Sequence, residues 1–220
     1  QGMPYPEGIM GNGDIEAIVV NEGGINSNAG CISLIYKDST VVVDVFQDVN
    51  HRPLGDVAQS IAMINGKYFV ALDNSKKVEV IDPITFKSLG TILYSQAGSP
   101  RQIVPISETE AVVSDLRQQL VRIRTVPPYG PPLEYISVPR WIEYLVSTEN
   151  KVFGMTQGGL YVFDADNINK EFARVIKDIY NEEDTKTCQM LVDKNGMIWG
   201  LMNQKRSGSV TGITLKCVDP

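Results

Sequence analysis

Internal repetition constrains this chain more than any other feature. A unit of roughly 40 to 50 residues recurs along its 220 residues, the spacing at which repeat proteins place one propeller blade. The clearest copy runs from Gln59 to Leu93. In it Ser60 to Ile64 alternates into the turn Asn65-Gly66, Tyr68 to Leu72 forms a second strand ending at Asp73-Asn74, Val78 to Ile81 stops at Asp82-Pro83, and Phe86 to Leu93 is a fourth. Short β-rich segments separated by Asn-Gly, Asp-Asn and Asp-Pro turns predict an antiparallel meander of four strands.

The same order repeats downstream. A third unit uses Gln102 to Ile106, Ala111 to Ser114, Leu120 to Ile123 and Leu133 to Val138; a fourth uses Tyr144 to Ser147, Val152 to Met155, Leu160 to Phe163 and Phe172 to Ile179. A fifth opens at Met190, continues through Ile198 to Met202 and reaches Ile213 to Val218. Upstream, Ile15 to Val20, Cys31 to Tyr36 and Val41 to Phe46 give the first unit its second, third and fourth strands. Asp82 and Asp164 end corresponding third strands 82 residues apart, which is two periods of about 41. The longer step to Asp219 predicts insertions in Asn181 to Thr187 and Lys205 to Gly212. The expectation is an all-β chain of eighteen strands, residues 1–220 forming a single β-propeller domain of four-stranded antiparallel blades. Five repeats are visible, and the fifth lacks a fourth strand, so the propeller is expected to be C-terminally incomplete, because an open ring exposes apolar blade faces and unpaired edges.

Composition excludes several functions. Twenty basic against twenty-six acidic residues leave a formal charge of -6, the wrong sign for binding a phosphate backbone, so no nucleic-acid partner is expected. No apolar run approaches the roughly 18 to 20 residues that span a bilayer, and the first ten residues lack the blocks of a signal peptide. The chain is expected to be soluble, with any export signal or lipid anchor removed. Cys31, Cys188 and Cys217 contain no C-x-x-C pair and read as core thiols rather than metal ligands. His51 is the only histidine, which rules out a multi-histidine metal site; in Asn50-His51-Arg52-Pro53 it reads as a loop or binding residue rather than a catalytic base. Asp164-Ala165-Asp166-Asn167 lacks the glycine and distal glutamate of a calcium loop and reads as a hairpin turn. Glu182-Glu183-Asp184 reads as a solvated loop, and Gly11-Asn12-Gly13 and Gly23-Gly24 lack the helix and Lys-Ser/Thr of a P-loop.

Several motifs together carry a resemblance: Val20-Asn21-Glu22-Gly23-Gly24, Arg52-Pro53-Leu54-Gly55-Asp56-Val57-Ala58-Gln59-Ser60, Asn74-Ser75-Lys76-Lys77-Val78-Glu79-Val80-Ile81-Asp82-Pro83, Ser99-Pro100-Arg101 and Leu191-Val192-Asp193-Lys194-Asn195-Gly196. Over nearly the whole chain they resemble YncE-like (YVTN-type) β-propellers, specifically the surface lipoprotein branch of Bacteroidetes. That branch includes corrinoid-binding lipoproteins that sit over TonB-dependent outer-membrane transporters and hand on vitamin B12. The resemblance implies a propeller of about seven blades, multiplying out the repeat, and an exported location at the outer membrane or cell surface, with the periplasm as the alternative. It implies a small-molecule ligand, such as a corrinoid, or a TonB-dependent transporter as partner.

In a propeller the loops from strand four to the next strand one, and from strand two to strand three, share one rim. That rim collects Asn21, Glu22, Asn26, His51, Arg52, Asp56, Gln59, Asn74, Arg101, Asp115, Arg117, Trp141, Glu143, Gln157, Gln189 and Asn203. The candidate ligand-binding set within it is Arg52, Asp56, Gln59, Asn74, Arg101, Trp141, Glu143, Gln157 and Asn203. Second strands end at Asn21, Asn74, Asp115, Gln157 and Asn203, where Asn and Asp also cap turns by bonding amides two residues on. Arg52, Arg101 and Arg140 with Trp141 come from the other loops; guanidinium forks suit carboxylate, phosphate or amide oxygens and an indole offers a flat platform. Arg101, following Pro100, can equally tie blades by bonding carbonyls. Trp199 lies in an alternating strand and reads as core.

Three functions follow. The first is a non-enzymatic exported binding module that assists uptake of a corrinoid or other small ligand, with no resident cofactor. The second is a protein-interaction or cell-surface scaffold. The third is a propeller enzyme such as a lactonase or quinone-dependent dehydrogenase, for which the rim offers only Glu22, Asp56 and Glu143 as converging carboxylates.

Overall fold

The structure is a computed structural model, and it describes residues 15–148, 150–156, 159–168, 174–176, 184–206 and 209–220. Eighteen strands among these form five antiparallel meanders. The first sheet holds β1 (Ile15–Asn21), β2 (Cys31–Tyr36) and β3 (Val41–Val42), followed by the helix α1 (Val45–Asn50). The second holds β4 (Ala58–Ile64), β5 (Lys67–Leu72), β6 (Lys77–Ile81) and β7 (Ser88–Leu93). The third holds β8 (Pro100–Pro105), β9 (Glu110–Asp115), β10 (Gln119–Arg124) and β11 (Glu134–Ser137). The fourth holds β12 (Tyr144–Thr148), β13 (Lys151–Thr156), β14 (Gly159–Asp164) and β15 (Arg174–Ile176); the fifth holds β16 (Asp184–Val192), β17 (Ile198–Arg206) and β18 (Ser209–Val218). The expected all-β meander architecture is therefore present, and the strands of the second and third sheets lie close to the expected spans.

The chain divides into two compact units, Gln1–Arg101 with Thr125–Pro132, and Gln102–Arg124 with Leu133–Pro220. In the first unit one apolar cluster joins Ile32 and Leu34 of β2, Val45 and Phe46 of α1, Val70 and Leu72 of β5, Ile81 and Phe86. In the second unit Val112, Leu120, Ile142, Val152 and Phe163 belong to one cluster, while Val146, Phe153, Leu160, Val162, Met190 and Ile198 form another. Central strands such as β5, β9, β13 and β14 are buried on both faces. That is why they read as continuous apolar runs rather than a polar/apolar alternation. Each fully buried Leu, Ile or Phe contributes about 1.5–3 kcal/mol.

Turn chemistry sets the registers. Asn65 and Gly66 both take positive φ, 50° and 66°, the two-residue hairpin turn that places Ile64 opposite Lys67. The Asp82 carboxylate accepts from the amides of Ile84 at 3.0 Å and Thr85 at 2.7 Å, closing the turn between β6 and β7. Asp193 does the same for the β16–β17 turn: its carboxylate accepts from the Asn195 amide at 2.7 Å, the Met197 amide at 3.1 Å and the Trp199 indole at 2.9 Å. At Gly154 of β13 an added Cβ would lie 2.8 Å from the buried side chain of Ile142, so only glycine admits that close approach.

Three expectations are corrected. Val41 to Phe46 is not a strand: pairing stops at Val42 and α1 begins at Val45, capped by Asp44, whose side chain accepts from the Gln47 amide at 3.3 Å. Val41 and Val43 are exposed, whereas the adjacent Val45 and Phe46 are both fully buried, which a strand facing one core cannot arrange. The expected insertions at Asn181 to Thr187 and Lys205 to Gly212 are largely strand. β16 and β17 run 9 residues each and β18 runs 10, with Arg206 paired to Ser209; residues 181–183 and 207–208 lie outside the described set. Cys217 is exposed on the edge strand β18, beside Ile213 and Leu215 on the same face, rather than in a core, and Cys31 is half-buried. Asp164 to Asn167 contains a short 3-10 turn, Ala165–Asn167. Of the expected fourth strand Phe172 to Ile179, the structure describes Arg174–Ile176 as β15.

Candidate functional site

The sequence-predicted rim residues of the first unit make two separate polar clusters. Arg52 follows α1, which ends at His51 in a left-handed conformation (φ 55°), and its guanidinium turns onto Glu79 of β6 at 2.6 Å and over the Phe46 ring, 4.9 Å from the centroid. Glu79 is fully buried, and it also accepts from Lys77 Nζ at 2.9 Å and from the hydroxyls of Ser88 and Thr91. Burial alone, the largest influence, raises the Glu79 pKa; the bonds from Arg52 and Ser88 and the charge of Lys77 together outweigh it, so the carboxyl is held below its ordinary value.

The second cluster joins the starts of β4 and β8 to the loops after β1 and β5. Asp56 is buried, and its carboxylate accepts from the Asn26 amide at 2.7 Å and from Asn74 Nδ2, which also reaches Asn26 Oδ1 at 3.0 Å. The Asn74 bond, with the backbone amides of Asn26 and its neighbours, lowers the Asp56 pKa against the opposing push of burial. Gln59 donates to Glu22 at 2.8 Å and accepts from Arg101, whose guanidinium pairs with Asp73 at 3.1 Å; Ser99 donates to the other Asp73 oxygen at 2.6 Å. Glu22 and Asp73 thus play one repeated part. Each follows the second strand of its repeat and receives a side chain from the first strand of the next, Gln59 in one case and Arg101 in the other.

In the second unit Asp115 is buried and accepts from the Arg117 amide, two residues on, at 2.7 Å, the turn-capping role open to it from sequence. Asn21 and Asn74 do otherwise: Asn21 reaches across strands to Ser33 at 2.9 Å and Cys31 at 3.3 Å. Trp141, on the β11–β12 loop, leaves 53% of its surface exposed, next to the exposed Arg140. The backbone carbonyl of Glu143 accepts from Ser114 at 3.2 Å. Gln157 lies outside the described residues. Asn203 lies within β17 opposite Ile213 rather than at a strand end, and its side chain is outside the described set. Trp199 is half-buried with its indole on Asp193. Among the described residues no three His, Cys, Asp or Glu side chains converge in a way that could hold a metal ion.

Sequence reasoning missed a concavity at the opposite ends of the strands in the second unit. Arg122 of β10 bridges Glu110 of β9, at 2.6 Å, and Glu134 of β11, at 2.9 Å, in the wall of a hollow of about 350 Å³. The signal was present: Glu110, Arg122 and Glu134 are spaced 12 residues apart, one strand of the meander to the next.

Three solved structures of similar shape are remote in sequence. The Dos1 propeller superposes with a TM-score of 0.62 at 13% identity, over 91% of this chain and 49% of that one. The WD40 β-propeller domain of Doa1 gives 0.56 at 10%, over 86% and 60%. The hydrazine synthase of Kuenenia stuttgartiensis gives 0.59 at 15%, over 72% and 45%. The chain spans about half the length of these chains, and the likeness identifies the fold as that of a β-propeller. No curated protein matches the sequence. One family model does, over residues 17–215, and with that span matched the chain belongs to the DUF5074 family, described as a domain of unknown function.

Proposed function

We propose that the chain is a non-catalytic, exported binding module whose partner is a polypeptide, engaged through the loop that carries Trp141. The observation that carries this reading is the contrast between the engaged charges of the rim and the free face of one indole. Arg52, Asp56, Gln59, Asn74 and Arg101 are all held by intramolecular partners. A small polar ligand would have to break those bonds, each worth about 1.5–3 kcal/mol where a charge is involved. Trp141 offers the opposite: a large, rigid, half-exposed surface beside an arginine, the pair of residue types that anchors protein interfaces. The uptake reading, in which a corrinoid is passed to a TonB-dependent transporter at the cell surface, draws on the resemblance to YncE-like surface lipoproteins.

A photoreactive phenylalanine analogue in place of Trp141, expressed in the producing cell, tests the proposal. A discrete polypeptide adduct is expected on irradiation, absent when the same analogue replaces the exposed Met63. No adduct, together with saturable heat on titration of the purified protein with cobalamin, overturns it in favour of uptake.

A further inference from the structure

The hollow around Arg122 is one half of a groove. A second concavity of about 300 Å³ adjoins it and shares Ile106, Ser107 and Ala165 as a common wall. Together they fall in the size range of sites that hold ligand groups, roughly 300–1,000 Å³. The walls are fixed by internal bonds. Ser107 Oγ accepts from the Thr109 and Glu110 amides at 3.2 and 3.1 Å, and Asn150 holds the start of the facing turn, its carbonyl accepting from the Ala165 amide at 2.8 Å and its side-chain Nδ2 donating to the Asp166 carboxylate at 2.7 Å.

The two halves differ in charge. The first sets three carboxylates, Glu110, Glu134 and Asp166, against the single guanidinium of Arg122, a formal excess of two negative charges over apolar walls from Ile106 and Ile168. Arg122 occupies one oxygen of each glutamate, and the second oxygens of Glu110 and Glu134 accept no hydrogen bond among the described residues. The second half carries Lys151 with the hydroxyls of Ser147 and Thr148 and no carboxylate. An aliphatic stem ending in a cation fits the first half, with methylenes against isoleucine and the head on the free oxygens. The neighbouring ammonium and hydroxyls suit carbonyl or carboxylate oxygens a short distance along the same chain. A free cation or polyamine would satisfy only one half.

We propose that this groove is a docking site for an extended polypeptide segment that inserts a lysine or arginine side chain between Glu110, Glu134 and Asp166 and presents an acidic or carbonyl group to Lys151. The site is distinct from the Trp141 loop and stands whether or not that loop engages a partner.

The test is fluorescence anisotropy with the labelled pentapeptide acetyl-Gly-Lys-Ala-Glu-Gly-amide, the same peptide with norleucine for lysine, and unlabelled spermidine as competitor. The lysine peptide is expected to bind saturably and to lose tenfold or more in affinity to the Glu134→Gln/Asp166→Asn double variant. Glu16→Gln, an exposed carboxylate of the other unit, is expected to leave affinity within twofold. A melting curve checks that the double variant is folded, and Lys151→Ala provides a second variant, expected to weaken the lysine peptide at least threefold. Equal binding of the norleucine peptide, equal weakening by Glu16→Gln, displacement by spermidine at the concentration that suffices for unlabelled peptide, or no binding up to millimolar peptide would each overturn the proposal.

Discussion

Glu79 is where burial and charge meet most sharply. Its carboxylate has no solvent exposure, yet two cations and two hydroxyls surround it, so the ionised form is favoured in the folded chain. Removing the charge leaves Lys77 facing a neutral group and Arg52 without its ion partner. Because Arg52 is 40% exposed, the cost is smaller than for a fully buried pair, about 2–3 kcal/mol for Glu79→Gln. A group whose folded pKa lies below its unfolded value near 4.3 contributes stability above that unfolded pKa and loses it as pH falls through the folded one. The melting temperature of the wild type should therefore drop as pH falls below about 4.3, and Glu79→Gln should melt lower at pH 7 with a shallower acid decline. Calorimetry from pH 7 to 3 reads both. Parallel acid limbs for the two proteins would show that the carboxylate adds nothing. From the sequence Glu79 looks like any polar residue in a strand, because its partners Arg52, Ser88 and Thr91 come from three different positions that only the fold assembles.

At the scale of elements, the sequence spoke clearly where one turn residue or one periodic run decides the outcome. Asn65-Gly66 and Asp82-Pro83 marked turns whose backbone bonds are local, and the strands around them lie where the alternation puts them. It misled where tertiary contacts decide. Val41-Val42-Val43 has strand propensity, but Val45 and Phe46 beyond Asp44 share one core, and Asn50 fastens α1 to the second sheet by donating to the carbonyls of Phe46 and Phe86, both at 2.9 Å, and accepting from the Ser88 amide at 2.8 Å. Asn50→Ala strands the Phe86 carbonyl and the Ser88 amide, and urea unfolding should show a loss of about 2–3 kcal/mol with an unchanged m-value. A loss under about 0.5 kcal/mol, the range of ordinary surface substitutions, would mean that solvent replaces those bonds at no cost. The long β17–β18 hairpin misled for a different reason: its polar residues satisfy strand pairing without the apolar alternation that makes a strand visible.

Over the whole molecule, the 41-residue period was legible because each repeat must rebuild the same meander, and that alone gave the fold class. The candidate site was legible only as residue types. Topology predicted which loops share a rim, but whether a rim arginine faces solvent or a neighbouring carboxylate depends on side chains far apart in sequence, such as Arg101 on Asp73 and Gln59. The claim that these charged rim residues serve the fold and leave the Trp141 loop free for a partner is tested most directly by the thermal unfolding of Arg101→Ala against wild type. Losing a charge-assisted pair that is four-fifths buried on both sides should cost about 2 kcal/mol, a fall of about 4–8 °C for a chain of this size. An unchanged melting temperature would contradict it and return Arg101 to the ligand-facing role.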